Sequence, residues 1–188
     1  MSLIERVRDC RLCADELPLE PHPVLQFQPG APILIVGQAP GLKAHQRGLP
    51  FDDPSGERLR SWLGVDRASF YNPAHFALLP MAFCYPGRGA SGDLPPPPRC
   101  AQGWRQPLLE ALGRPKLSIL LGQYAIRWHL HTQAPIGQVV ANWQSYWPAL
   151  LPLPHPSPRN IHWLRQHPWV EGDILPLLRQ RVVALVDK

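Results

Sequence analysis

The sequence predicts an α/β fold of three layers, α/β/α, around a central, mostly parallel four-stranded sheet. Three observations predict it. Pro32-Ile33-Leu34-Ile35-Val36 is a run of five apolar residues. It is too short for a helix and lacks the alternation of a half-exposed strand, so a strand covered on both faces fits it. Residues 117–121 form a second short run, apolar but for Ser118 and closed by Gly122. Helical patterns lie between the strand candidates, and strands alternating with helices argue for a parallel sheet covered on both faces.

The elements follow in order. A short helix begins within 2–13, and 14–30 reads as irregular chain leading to the first strand at 32–36. The turn Gly37-Gln38-Ala39-Pro40-Gly41 comes next, where glycines permit a sharp bend and a close approach. Residues 42–48 read as a polar loop. Ser55 can cap a helix running to Leu63, with Leu59, Trp62 and Leu63 on one face. A second strand is expected at 76–81, then a proline-rich loop at 85–99. A helix is expected at 101–112, with Trp104, Leu108 and Leu112 at helical spacing. After the strand at 117–121 comes a helix at 124–130. A fourth strand at 150–153 runs into His155-Pro156-Ser157-Pro158-Arg159-Asn160, and a helix at 170–186 closes the chain. Parallel strands would bring the loops at 37–41 and 154–160 to one edge of the sheet, where ligands bind in open α/β sheets.

The bulk properties bound the class. The 188 residues, 45% of them hydrophobic, suit one domain spanning 1–188. No run approaches the roughly 18 apolar residues that cross a membrane, so no membrane partner is expected. Residues 1–13 are charged and lack the apolar core of a signal peptide, which predicts a cytoplasmic protein. The net charge of +5 favours a polyanionic partner such as nucleic acid. The 25 prolines gather at 95–98 and 148–158 among aromatic and aliphatic residues, which suits rigid extended loops rather than disorder.

There are four cysteines, Cys10, Cys13, Cys84 and Cys100. In a cytosolic protein they do not suggest a disulfide framework. The C-x2-C pair places two thiolates on one turn, and four thiolates suit either a tetrahedral zinc or an iron–sulfur cluster. Four unrelated core cysteines are the plainer alternative. A redox C-x2-C fits less well, because the pair precedes the first strand and does not open a helix after it.

Taken together, these residues resemble the uracil-DNA glycosylase superfamily over nearly the whole chain. Gly37-Gln38-Ala39-Pro40-Gly41 is similar to its first motif. Gly48-Leu49-Pro50-Phe51 with Ser55-Gly56 is similar to the G-x-P-F…[AS]-G segment of its thermostable branches. His155-Pro156-Ser157-Pro158 is similar to its second motif, and the four cysteines sit where the iron–sulfur branches carry cluster ligands.

The resemblance implies a monomeric, monofunctional DNA glycosylase of base excision repair, acting on DNA that contains a damaged base and holding a 4Fe-4S cluster, or zinc in its place. Such enzymes flip the nucleotide into a pocket. His155 would donate to the departing base. Asp53 would orient water, with Asp52 behind it; the plainer role for both aspartates is to cap the helix that follows. Gln38 would position base or water, and Phe51 would stack on the base. Gly37, Ala39, Pro80 and Asn160 would complete the base pocket. Lys43, Arg47, Arg88, Arg159 and Arg165 would contact phosphate, with Arg159 filling the gap left by the flipped base.

Two departures stand out. The first motif carries Ala39 where the best-known branch has Asp, and Pro80 stands where uracil-selective branches have a base-reading Asn. Strict uracil selectivity is therefore not implied, and hypoxanthine, xanthine or another damaged base stays open. A catalytically silent DNA-binding member is one alternative. A metal-stabilised binding module unrelated to repair is another.

Overall fold

The computed structural model describes residues 1–186. Four parallel strands form the central sheet: β1 (Ile33–Val36), β2 (Phe76–Leu78), β5 (Leu117–Leu121) and β6 (Leu150–Leu153), in the order β2-β1-β5-β6. Between β2 and β5 the chain makes a small antiparallel hairpin, β3 (Arg88–Gly89) and β4 (Gly92–Asp93). Every residue of β1 and β2 is buried. Successive strand side chains point to opposite faces, so both faces of the sheet are covered and the expected fold class is observed.

The helices are α1 (Leu3–Arg8), α2 (Leu42–Arg47), α3 (Pro54–Leu63), α4 (Arg67–Phe70), α5 (Pro98–Leu112), α6 (Gln123–Leu130), α7 (Ile136–Ala141), α8 (Ile161–Gln166) and α9 (Leu175–Val186). α3 packs on α9 and α1 on α5. Leu59, Trp62 and Leu63 of α3 are buried as their spacing predicts.

The chain runs from β1 outward to β2, then returns to place β5 and β6 on the other side of β1. The strand order thus reverses between β1 and β5, and a crevice opens there beyond the carboxyl ends. The β1 edge continues past the strand: Leu79, Met81 and Ala82 donate their amides to the carbonyls of Ile35, Gly37 and Gln38 at 2.9, 2.9 and 3.0 Å. The first turn and the segment after β2 are therefore one hydrogen-bonded piece.

Several local expectations are corrected. Residues 42–48 are not a loop. Gly41 and a left-handed Gly48 (φ 66°) bracket the helix α2. Asp53, not Ser55, caps α3: its carboxylate accepts the Gly56 amide at 2.9 Å, and Pro54 occupies the first helical position. β2 stops at Leu78, shortly before Pro80, which has no amide to extend a ladder. The proline-rich loop contains the β3–β4 hairpin, and α5 begins at Pro98. Helices α4, α7 and α8 were not legible, and the closing helix opens with a π-helical turn, Val170–Ile174, before α9.

Candidate active site

The crevice is a cavity of about 580 Å³. It takes residues from the ends of all four strands: Gly37 after β1, Pro80 after β2, Tyr124 after β5 and His155 after β6. Gln38, Ala39, Phe51, Asp53, Arg159 and Asn160 also line it. Residues separated by more than one hundred positions thus meet at one sheet edge.

The glycines of the first turn supply space rather than unusual dihedrals. Gly41 has an ordinary φ of −71°. A Cβ on Gly37 would stand 3.0 Å from Cζ of Phe51, so the ring edge rests where a side chain would be. Phe51 itself has φ 57°, a left-handed conformation that a bulky residue rarely adopts. Its carbonyl lies 1.7 Å from where a Cβ on Gly56 would be. Gly37 and Gly56 thus accommodate Phe51 from two sides, and Phe70 meets its ring edge-on at 6.2 Å.

Asp53 spends one carboxylate oxygen on the α3 cap. The other lies 3.6 Å from the point where a Cβ on Gly41 would stand. Asp52 forms ion pairs with Arg47 and Arg67, both at 2.8 Å, which hold its carboxyl below the usual range. It does not line the cavity, so it braces the chain beside Asp53.

His155 follows the last residues of β6. Gly122, with a positive φ of 84°, lets the end of β5 pass against it: a Cβ there would meet that of His155 at 3.4 Å. Arg58 donates to the Ser157 carbonyl at 3.2 Å, and the Asn160 amide nitrogen donates to the His155 carbonyl at 2.7 Å. Burial pushes the imidazole down to about 4, against a smaller opposing pull from Asp53. His155 is therefore neutral at pH 7 and available as an N–H donor.

Some expected residues do other work. The Gln38 amide nitrogen donates to the Leu94 carbonyl at 3.1 Å, tying the hairpin region to the first turn. The Asn160 nitrogen is likewise committed to the loop. Arg47 is engaged by Asp52 instead of standing free. Lys43, Arg88 and Arg165 are exposed and lie outside the cavity lining. Arg159 does line it, but its guanidinium lies over Gly92, on the spot a side chain would fill.

Sequence reasoning missed three groups. Ser91 and Asp93 of the hairpin region line the cavity. The one available signal was the Gly-Arg-Gly-Ala-Ser-Gly-Asp composition of 87–93, which permits a tight hairpin. The third is Arg105, only 1% exposed. It donates to the Leu79 carbonyl at 2.8 Å and to the Pro80 carbonyl, and so fixes the wall opposite His155 from beneath. Burial lowers it to about 10, so it stays charged at pH 7.

The four cysteines line a second, smaller cavity together with Leu12, Ala82 and Phe83. The Trp104 indole donates to the Cys10 sulfur at 3.1 Å, and the Leu12 amide donates to it at 3.5 Å. Burial raises the Cys13 thiol to about 11 and raises Cys84 and Cys100 as well. Such thiols ionise only beside a compensating cation. Among the described residues, no three His, Cys, Asp or Glu side chains group tightly enough to close on one ion. The donor chemistry, four sulfurs around one cavity with N–H groups aimed at one of them, nevertheless suits a thiolate-bound metal centre.

No helix among the described residues is long and apolar enough to cross a membrane. The family model described as the uracil DNA glycosylase superfamily matches residues 25–179, the stretch that holds the sheet and the main cavity, and the chain belongs to that superfamily.

Proposed function

We propose that the protein is a monofunctional DNA glycosylase that flips a deaminated or otherwise damaged base into the main cavity and hydrolyses its bond to the sugar. Membership of the superfamily supports glycosylase chemistry on DNA in general terms. The single observation that carries the reading further is that His155 and Asp53 line one cavity together with the 37–41 turn.

The bond electrons leave with the base, which becomes anionic, while the sugar carbon becomes cationic. Neutral His155 donates an N–H to the developing base oxyanion. The free oxygen of Asp53 orients a water and takes its proton as the water oxygen bonds to the sugar carbon. Phe51 offers a face to the flipped base, and Gly37, Ala39, Pro80 and the loop held by Asn160 wall the pocket. Gln38 acts on this site through the hairpin region it tethers. Lys43, Arg88, Arg159 and Arg165 serve the phosphates, a role in which Arg47 is limited by its pairing with Asp52.

The cysteine-lined cavity would hold a 4Fe-4S cluster through Cys10, Cys13, Cys84 and Cys100, as in the thermostable-type iron–sulfur branches; zinc is the alternative occupant. Either would stabilise the ionised thiolates and tie the N-terminal segment to 84 and 100. The work assigned to it is structural.

Ala39 and Pro80 present no polar side chain, which favours the second reading, a DNA-binding member without glycosylase activity. A panel of oligonucleotides carrying uracil, hypoxanthine or xanthine, single- and double-stranded, separates the two by the appearance of abasic product.

A further inference from the structure

We propose that Asp93 is a second carboxylate of the site, which stabilises the positive charge that develops on the sugar as the base departs. The inference rests on the glycosylase reading above and adds to it a residue that no motif indicated.

The geometry carries it. Asp93 ends β4, and its hairpin is pinned over the cavity. Leu94 donates its amide to the Gly87 carbonyl at 2.8 Å and accepts from Gln38 at 3.1 Å. One oxygen of Asp93 lies 3.6 Å from the position a Cβ on Gly41 would take. The free oxygen of Asp53 lies at the same 3.6 Å from that point. These two carboxylate oxygens therefore lie against the turn and stand no further apart than twice that distance. His155 feels the charge of Asp53, as Asp93 does. The donor for the anion and the carboxylates for the cation thus occupy one cavity, with Asp53 between the other two in its electrostatic reach.

Several other polar groups of the cavity are committed. The Gln38 and Asn160 amide nitrogens bond to carbonyls, the Pro80 carbonyl is held by Arg105, and Asp53 gives one oxygen to the α3 cap. Asp93, in contrast, takes part in no ion pair among the described residues. Burial raises its carboxyl and the charge of Asp53 adds to this, while Arg159 and Arg88 pull it back. A cation arriving between the two aspartates relieves the repulsion between them. A neutral ground-state sugar does not, so the stabilisation belongs to the transition state.

The test uses duplexes in which the target nucleotide is replaced by a cationic pyrrolidine abasic analogue or by neutral tetrahydrofuran. Their affinities are measured by fluorescence anisotropy for the wild-type protein and for Asp93→Asn. The wild type is expected to prefer the cationic analogue, and the ratio of the two affinities is expected to fall about tenfold or more in Asp93→Asn. An unchanged ratio in the variant, or no preference in the wild type, overturns the proposal. Steady-state excision is measured alongside, with a fall in kcat at unchanged KM expected in the variant. Release of no base by the wild type overturns the glycosylase reading and this role with it, whereas release of base with an unchanged affinity ratio overturns the role of Asp93 alone.

Discussion

One oxygen of the Asp53 carboxylate accepts the Gly56 amide at 2.9 Å, and the other lies 3.6 Å from the point where a Cβ on Gly41 would stand. The same residue is thus both helix cap and chemical group, and substitution separates the two. Asp53→Asn retains a good cap, whereas Asp53→Ala loses about 1 kcal/mol of stability. Both are expected to slow excision by about 100-fold. Urea melts and single-turnover rates read the two effects. A full rate in Asp53→Asn would reduce Asp53 to a cap.

Gly56→Ala is expected to be severely destabilising, because the new Cβ would stand 1.7 Å from the Phe51 carbonyl. A loss of about 3 kcal/mol or more is expected from displacing backbone already held in a left-handed conformation. Gly37→Ala meets only the tip of the Phe51 ring, at 3.0 Å. It should cost less stability and act mainly on base binding, seen as a rise in KM.

The pH dependence has a definite sign. His155 is lowered from 6.5 to about 4 in the folded protein. The unfolded chain therefore binds the proton first as pH falls. The stability that neutral His155 contributes is complete above about pH 6.5 and is lost progressively down to about pH 4. His129, pushed to about 3 by burial and by Arg105 and His131, adds to the same slope. His155→Gln should reduce the slope of stability against pH in this window by up to about 1.4 kcal/mol per pH unit. Denaturant midpoints between pH 4 and 7 measure it, and an unaltered slope would mean that His155 is solvated.

Arg105→Met would remove the donor from the Leu79 and Pro80 carbonyls at the base of the pocket wall. Leaving two buried carbonyls unpaired is expected to cost about 2–5 kcal/mol. Hydrogen exchange should quicken first at Met81 and Ala82, whose amides bond to Gly37 and Gln38. Retained protection there would show that the wall does not depend on Arg105.

The two buried cysteines, Cys13 and Cys100, test the metal centre. Serine at Cys13 or Cys100 should abolish bound metal and lower Tm. Visible absorbance and metal analysis distinguish iron from zinc, and stoichiometric metal retained by both variants would contradict a four-cysteine centre.

The sheet was legible because its strands are runs of apolar residues bounded by glycine or proline, a pattern that local sequence states directly. The parallel arrangement then placed 37–41 beside 154–160 without further information. What was not legible depended on contacts between distant segments. The helix α2 reads as a polar loop because its 42–47 stretch has little apolar periodicity, and the glycines on either side define it. Arg47 reads as a free cation until Asp52 is seen beside it. Asp93 lies in a glycine-rich stretch whose hairpin is held by Gln38, more than fifty residues earlier. Arg105 sits on the buried side of α5, and its partners, the Leu79 and Pro80 carbonyls, lie more than twenty residues earlier.

The most direct measurement is release of base from single- and double-stranded oligonucleotides carrying uracil, hypoxanthine or xanthine, by the wild-type protein and by His155→Gln. The expected result is abasic product from at least one substrate, with the rate lowered about 100-fold or more in the variant. No abasic product from any substrate would contradict the glycosylase assignment, and an undiminished rate in His155→Gln would contradict the role given to His155.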